Sequence, residues 1–135
     1  MAEQEVVTES LSGSPDGFPL SLSTTGAITA VHQVPAHAIA GREYIDAVSL
    51  KLFNIDTVRR TVDIVLNPIG GSGGAETNGT VKVVVPPEGY AWVLQGERFR
   101  RDVTGATYTI GVEPPVADKI KVVGWVARFE QDVSA

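Results

Sequence analysis

Apolar and polar residues alternate along most of the chain after residue 27, as in strands that bury one face. The stretches VSLKL at 48–52 and TVDIVLN at 61–67 show this pattern most clearly. A polar break at 54–57 separates them, so together they predict an antiparallel hairpin with one solvated side. The predicted core residues of these two strands are Val48, Leu50, Leu52, Val62, Ile64 and Leu66.

The same pattern recurs in short segments up to the end of the chain. Clusters of Gly, Pro, Asn and Asp separate the segments, and none has the spacing of an amphipathic helix. The predicted strands are 27–34, 44–54, 60–67, 80–86, 90–95, 106–113 and 119–130. Seven short strands with regular turn signals predict an all-β domain over residues 27–135, an antiparallel, jelly-roll-like β-sandwich.

Residues 1–26 differ in composition from the rest of the chain. The sequence SLSGSPDG at 10–17 disfavours both a helix and a central strand, because Gly, Pro and Ser favour other conformations. We predict an extended N-terminal arm that packs on a neighbouring subunit or on another protein of the same assembly, and not on its own sandwich. Its docking residues are expected to be Phe18, Leu20 and Leu22, which are spaced by two.

The last predicted strand is apolar on both faces. Ile120, Val122 and Val126 share one face, whereas Trp125 and Phe129 lie on the other. Two explanations remain open for the second face. A loop or the other sheet covers it, or it forms a subunit interface, where large aromatic residues are common anchors.

Length and charge limit the classes of function that this chain can have. The 135 residues fit one domain, and the net charge of −5 disfavours nucleic acid as a partner. The chain has no cysteine, no apolar run long enough to span a membrane and no basic leader, so we expect a soluble protein made in the cytoplasm.

No pattern in the sequence indicates catalysis, a cofactor or a metal ion. His32 and His37 are interpreted as ordinary surface or turn residues. The glycine loop at 70–74 leads into a strand and not into the helix that a phosphate site needs. The scattered carboxylates are interpreted as solvated loop charges. We therefore expect a protein that is not an enzyme.

An arginine cluster offers a possible contact with a partner. Arg98, Arg100 and Arg101 lie within the turn-rich sequence ERFRRD. Arginine pairs with carboxylates in a planar, bidentate geometry, so the cluster can bind acidic patches on another subunit. A screened surface cluster is the alternative.

The stretch VSLKLFNIDTVRRTVDIVLNPIGGSGG at 48–74 resembles a segment of small β-rich structural proteins of tailed bacteriophages. The step Val34-Pro35-Ala36 and the closing strand at 122–126 add to the resemblance. It implies a virion protein of the decoration, head-spike or tail-associated type, without catalytic residues. The expected partners are the major capsid protein or other virion subunits, and further copies of the chain, with a trimer favoured by analogy.

Two functions remain open within that resemblance. The first is a capsid decoration or cement protein that binds the head surface and stabilises it. The second is a tail- or spike-associated module that binds a host surface carbohydrate. Exposure of Tyr90 or Trp92 beside polar loops would favour the second, because sugars stack on aromatic rings.

Overall fold

The computed structural model describes residues 4–23, 25–69, 76–100 and 108–132, with side chains for 8–23, 25–66, 79–100 and 108–132. The described residues contain strands and turns and no helix, as predicted. The strands are β1 (Gln4–Ser10), β2 (Leu20–Ser21), β3 (Thr29–Val34), β4 (Arg42–Asn54), β5 (Arg60–Ile69), β6 (Glu76–Val85), β7 (Gly89–Arg100), β8 (Tyr108–Glu113) and β9 (Ile120–Asp132).

These strands form two antiparallel sheets, which confirms the predicted β-sandwich. Sheet A has the order β1-β9-β4-β7, with β2 also paired to β9, and sheet B has the order β3-β8-β5-β6. The core lies between the sheets. The predicted core residues of β4 and β5 lie there, with Leu66 only partly buried at the margin.

The predicted hairpin between β4 and β5 is wrong. β4 pairs with β7 and β9 in sheet A, whereas β5 pairs with β6 and β8 in sheet B. The two apolar faces were assigned correctly, but they face each other across the sandwich and do not lie side by side in one sheet. Alternation fixes which face a strand buries and does not fix its neighbours.

Asn54 stabilises the crossing from sheet A to sheet B. Its side-chain Nδ2 donates to the carbonyl oxygens of Val58, at 2.9 Å, and Val85, at 3.2 Å. Its Oδ1 accepts a hydrogen bond of 2.9 Å from the backbone N–H of Asp56. The amide is buried and all three bonds are made, so Asn54 ties the 55–59 turn to both sheets.

The prediction that residues 1–26 pack on a neighbouring subunit is also wrong for the described part of that segment. β1 pairs with β9 from Gln4 opposite Glu130 to Ser10 opposite Trp125, and β2 pairs with β9 further along. Leu11 and Leu22 are both 1% exposed within the core. The segment therefore belongs to the sandwich, because strand pairing and two buried leucines anchor it.

Between β1 and β2 the chain crosses to sheet B. Gly13 donates a backbone hydrogen bond of 2.9 Å to the carbonyl oxygen of Val31 in β3. A Cβ at Gly13 would lie 2.8 Å from that oxygen and from the carbonyl oxygen of Ala30, so the close approach requires glycine. The N-terminal segment thus closes the side of the sandwich between β9 and β3.

Candidate binding surface

An ionic cluster lies where the N-terminal segment crosses between the sheets, with His32 and Asp46 buried and Glu9 at its exposed edge. Its members are His32 on β3, Asp46 on β4, Arg128 on β9 and Glu9 on β1. The Arg128 guanidinium grips Asp46 with two bonds, Nε to Oδ1 at 2.8 Å and Nη2 to Oδ2 at 3.0 Å. Its Nη1 lies 2.7 Å from Glu9 Oε2. The guanidinium is therefore held by carboxylates on two sides.

The hydrogen bonds fix the tautomer of His32. The backbone N–H of Ser12 donates to His32 Nδ1 at 3.0 Å, so Nδ1 accepts and the ring proton lies on Nε2. His32 Nε2 lies 2.7 Å from Asp46 Oδ2 and donates to it. Both ring nitrogens are thus occupied, and the residue is only 1% exposed.

Electrostatics in this cluster favour the charged carboxylate. Burial alone would raise the pKa of Asp46, but hydrogen bonds from His32 and Arg128 outweigh burial and hold it below its usual value. The hydrogen bond to Asp46 likewise raises the pKa of Arg128. Because the polar groups are paired with one another, the cluster holds the N-terminal segment against both sheets and presents no free base.

The interpretation of both histidines as ordinary surface or turn residues is therefore wrong for His32. His37 lies in the connection after β3, where its Nε2 pairs with Glu130 and its ring packs 4.5 Å from Tyr44. The hydrogen bonds from His37 and then Arg42 lower the pKa of Glu130.

Asp46, expected among solvated carboxylates, is fully buried. The alternation of inward and outward residues along each strand would have indicated that Asp46 and Arg128 point inward, because each lies on the buried face of its strand.

The outer face of sheet A carries a surface that we call the aromatic face. It consists of Phe53 on β4, Tyr90 and Trp92 on β7, and Trp125 on β9, with Lys51 at its centre. Tyr90 is 53%, Trp92 39% and Trp125 45% exposed. Pairing explains the grouping, since Tyr90 lies opposite Phe53 and Trp92 opposite Lys51 on β4. Trp125 meets Trp92 edge to face, with ring centroids 5.9 Å apart.

Lys51 is held among three of these rings. Its Nζ lies 4.1 Å from the centroid of Tyr90, 5.0 Å from that of Trp92 and 5.2 Å from that of Phe53. Aromatic rings attract a cation through their quadrupole but carry no net charge. The ammonium is thus positioned without being neutralised.

Apolar residues extend the aromatic face toward β2. An open cavity of about 370 Å³ lies between Pro19, Phe53, Ile55, Lys121 and Val123. A second, of about 340 Å³, is lined by Phe53, Asn54, Ile55, Glu88, Gly89 and Tyr90. Ile55 is also exposed, as is Phe18 beside Pro19. Contiguous patches of exposed apolar side chains often mark binding sites on a protein surface.

The opposite end of the same outer face carries two of the three predicted arginines. Arg98 lies 4.6 Å from the ring of Phe129, and Arg100 Nη1 lies 3.1 Å from Glu43 Oε1. We call these three residues, Arg98, Arg100 and Phe129, the arginine end. Arg101 and the glycine loop at 70–74 lie outside the described residues.

The predicted contact residues thus fall into two groups. Trp125, Phe129, Arg98 and Arg100 share the outer face of sheet A, which the sequence could not show for residues on two strands. Among the three predicted docking residues of the arm, Phe18 is 70% exposed and Leu20 packs partly against the core. Leu22 is buried, so its assignment to an interface is wrong. Tyr90, Trp92 and Lys51 complete the surface.

The described part of the chain contains no helix long and apolar enough to cross a membrane. Nor do its His, Asp and Glu side chains form a group of three or more that could hold a metal ion.

Comparisons with known proteins add little to this picture. No protein-family model matches the sequence, and no curated protein matches it. Among solved structures, the tobacco streak virus coat protein is similar, with 10% identity and a TM-score of 0.44 over 98% of this chain and 88% of that chain. At this TM-score the likeness supports no conclusion about function.

Proposed function

We propose that the chain is a non-catalytic structural subunit of a tailed-bacteriophage virion that decorates the head surface and stabilises it. The observation that carries this proposal is the aromatic face, a broad and exposed apolar surface on a rigid sheet. Aromatic residues are the usual anchors at the centre of protein interfaces. The sequence resemblance of residues 48–74 to phage structural proteins supplies the context.

The shape of this surface suits attachment to another protein. The cavities beside the aromatic rings are open, and no narrow cleft encloses them. A decoration protein binds in many copies, so modest affinity per copy is sufficient when contacts are multiplied. The arginine end is proposed as the contact between neighbouring copies, where a closed trimer would limit association.

The copy number in purified particles tests the proposal. We expect a mass-spectrometric count of the virion proteins to give hundreds of copies per particle, the number expected for a shell protein. A count of a few copies, or absence from the particle, would contradict a role on the head. Sedimentation of the purified chain tests association between copies, which a monomer at micromolar concentration would contradict.

Exposure of Tyr90 and Trp92 beside the 54–57 and 86–89 loops favours one second candidate, binding of a host surface carbohydrate. Exposed rings can stack on sugars, and a module of a tail or spike would use them in this way. Binding to a glycan array, abolished in Trp92→Ala and retained in Val84→Ala on sheet B, would favour this candidate over attachment to the head.

A further inference from the structure

We propose that the aromatic face binds a carboxylate-rich surface of a shell protein, and that Lys51 and Lys121 select it. This inference rests on the proposed attachment to a virion and specifies the chemistry of the partner. It follows from the polar groups of the aromatic face, which are hydrogen-bond donors only, apart from the Tyr90 hydroxyl.

The donors on this surface lack acceptors of their own. Among the described residues, no carboxylate pairs with Lys51 or Lys121, and the indole N–H groups of Trp92 and Trp125 make no hydrogen bond. The one carboxylate lining the two adjacent cavities is Glu88, at the border beside Tyr90. A partner must therefore supply acceptors, and a carboxylate also supplies the opposite charge.

Lys51 is prepared for such a contact. A free lysine side chain loses rotamer entropy when it is fixed in one position. Here Tyr90, Trp92 and Phe53 already hold the ammonium in place. Lys51 therefore loses less rotamer entropy on binding, so an ion pair with an incoming carboxylate contributes more to the binding free energy.

Charge disfavours the obvious competitor, which is a second aromatic face. Pairing two copies face to face would bring the lysines of one copy against those of the other, and like charges across an interface are unfavourable. The chain as a whole has a net charge of −5, so these lysines form a basic patch on an acidic protein. An acidic shell surface would repel most of this chain and accept the aromatic face, which orients the subunit.

The test measures binding of the purified chain to particles that lack it, made from a genome without the gene. We expect binding to weaken about tenfold or more between low and high salt because exposed charges are screened. At low salt, Lys51→Met and Lys121→Met should each weaken binding about tenfold and reduce its salt dependence. Lys82→Met is the matched control, because Lys82 is exposed on sheet B and pairs with Asp63 at 3.0 Å.

The possible outcomes separate this inference from the proposed function. Failure of the wild-type chain to bind the particles would contradict the attachment itself. Binding that is insensitive to salt and to both lysine substitutions would support the proposed attachment but contradict the proposal that the partner surface is acidic. Competition by polygalacturonate but not by a polyglutamate peptide would instead assign the surface to an acidic carbohydrate.

Discussion

Asp46 shows how one side chain can be predicted to point inward and still be misjudged. It shares the inward face of β4 with Val48, Leu50 and Leu52, so alternation places it in the core. Nothing local shows that His32 and Arg128 meet it there, because these partners lie 14 and 82 residues away. The face of the strand on which a residue lies is encoded in the local sequence, whereas the partners of a buried charge depend on the whole fold.

Removing the carboxylate should destabilise the protein strongly. In Asp46→Ala, Arg128 keeps Glu9 but loses its bidentate partner, and His32 loses the acceptor for its Nε2 proton. We expect a loss of about 3–5 kcal/mol in the free energy of unfolding, measured by urea denaturation. Asp63→Ala breaks an exposed ion pair with Lys82 and should cost about 1 kcal/mol or less. Equal losses of unfolding free energy in the two variants would show that the buried cluster contributes no more to stability than an exposed ion pair.

The lowered pKa of Asp46 predicts a contribution to acid denaturation. The unfolded chain has the higher pKa, about 4, so it binds the proton first as pH falls. The stability from Asp46 is therefore complete above about pH 5 and is lost as pH falls through the lower pKa of the folded state. The unfolding free energy of the wild type should fall more steeply below pH 4 than that of Asp46→Asn, by up to about 1.4 kcal/mol per pH unit. Parallel curves would refute the assignment.

At the scale of elements, strand positions were more predictable than strand partners. Every predicted strand, from 27–34 to 119–130, overlaps an observed one, but β4 and β5 lie in different sheets. The N-terminal strands were missed because they flank the polar stretch at 10–17, which is rich in Ser, Gly and Pro. Burial of Leu11 and Leu22 and a backbone contact at Gly13 compensate for that composition, and such contacts are visible only in three dimensions.

The N-terminal segment should therefore matter for folding. Leu11→Ala removes a side chain that is 1% exposed and leaves a cavity beside Gly124, with an expected cost of about 2–5 kcal/mol. Phe18→Ala, in the same segment, removes a ring that is 70% exposed and should change stability by about 0.5 kcal/mol or less. Thermal or urea unfolding of the two variants compares them directly. A wild-type stability for Leu11→Ala would restore the view of residues 1–26 as a separate arm.

For the molecule as a whole, the sequence predicted the fold class and part of the surface. Regular turns and alternating strands were sufficient for an all-β sandwich. The two-sided pattern of β9 located Trp125 and Phe129 on a second face. It could not show that β7 places Tyr90 and Trp92 on the same face, with Trp92 against Trp125, because sheet order depends on contacts between distant strands.

Substitution on that outer face should separate binding from folding. In Trp125→Glu the new charge stays solvated in the free chain, because the site is 45% exposed, so unfolding should change by about 0.5 kcal/mol or less. On the particle the same charge would be buried without a partner, and occupancy should be lost. Val84→Glu, 51% exposed on sheet B, should keep wild-type occupancy. A destabilised Trp125→Glu chain would place the indole in the core, and full occupancy would place the contact elsewhere.

The pairing of β1 with β9 also has a practical consequence for engineering. Gln4 lies opposite Glu130, so the two ends of the described chain leave the sandwich side by side. They do so near the arginine end, whereas the aromatic face centres on Lys51, which lies opposite Val123. Seven residues of extended strand separate these positions, about 23 Å. A foreign domain attached where the described chain leaves the sandwich, beside Gln4 and Glu130, would project from one pole of the molecule, which suits the chain as a carrier for displayed cargo.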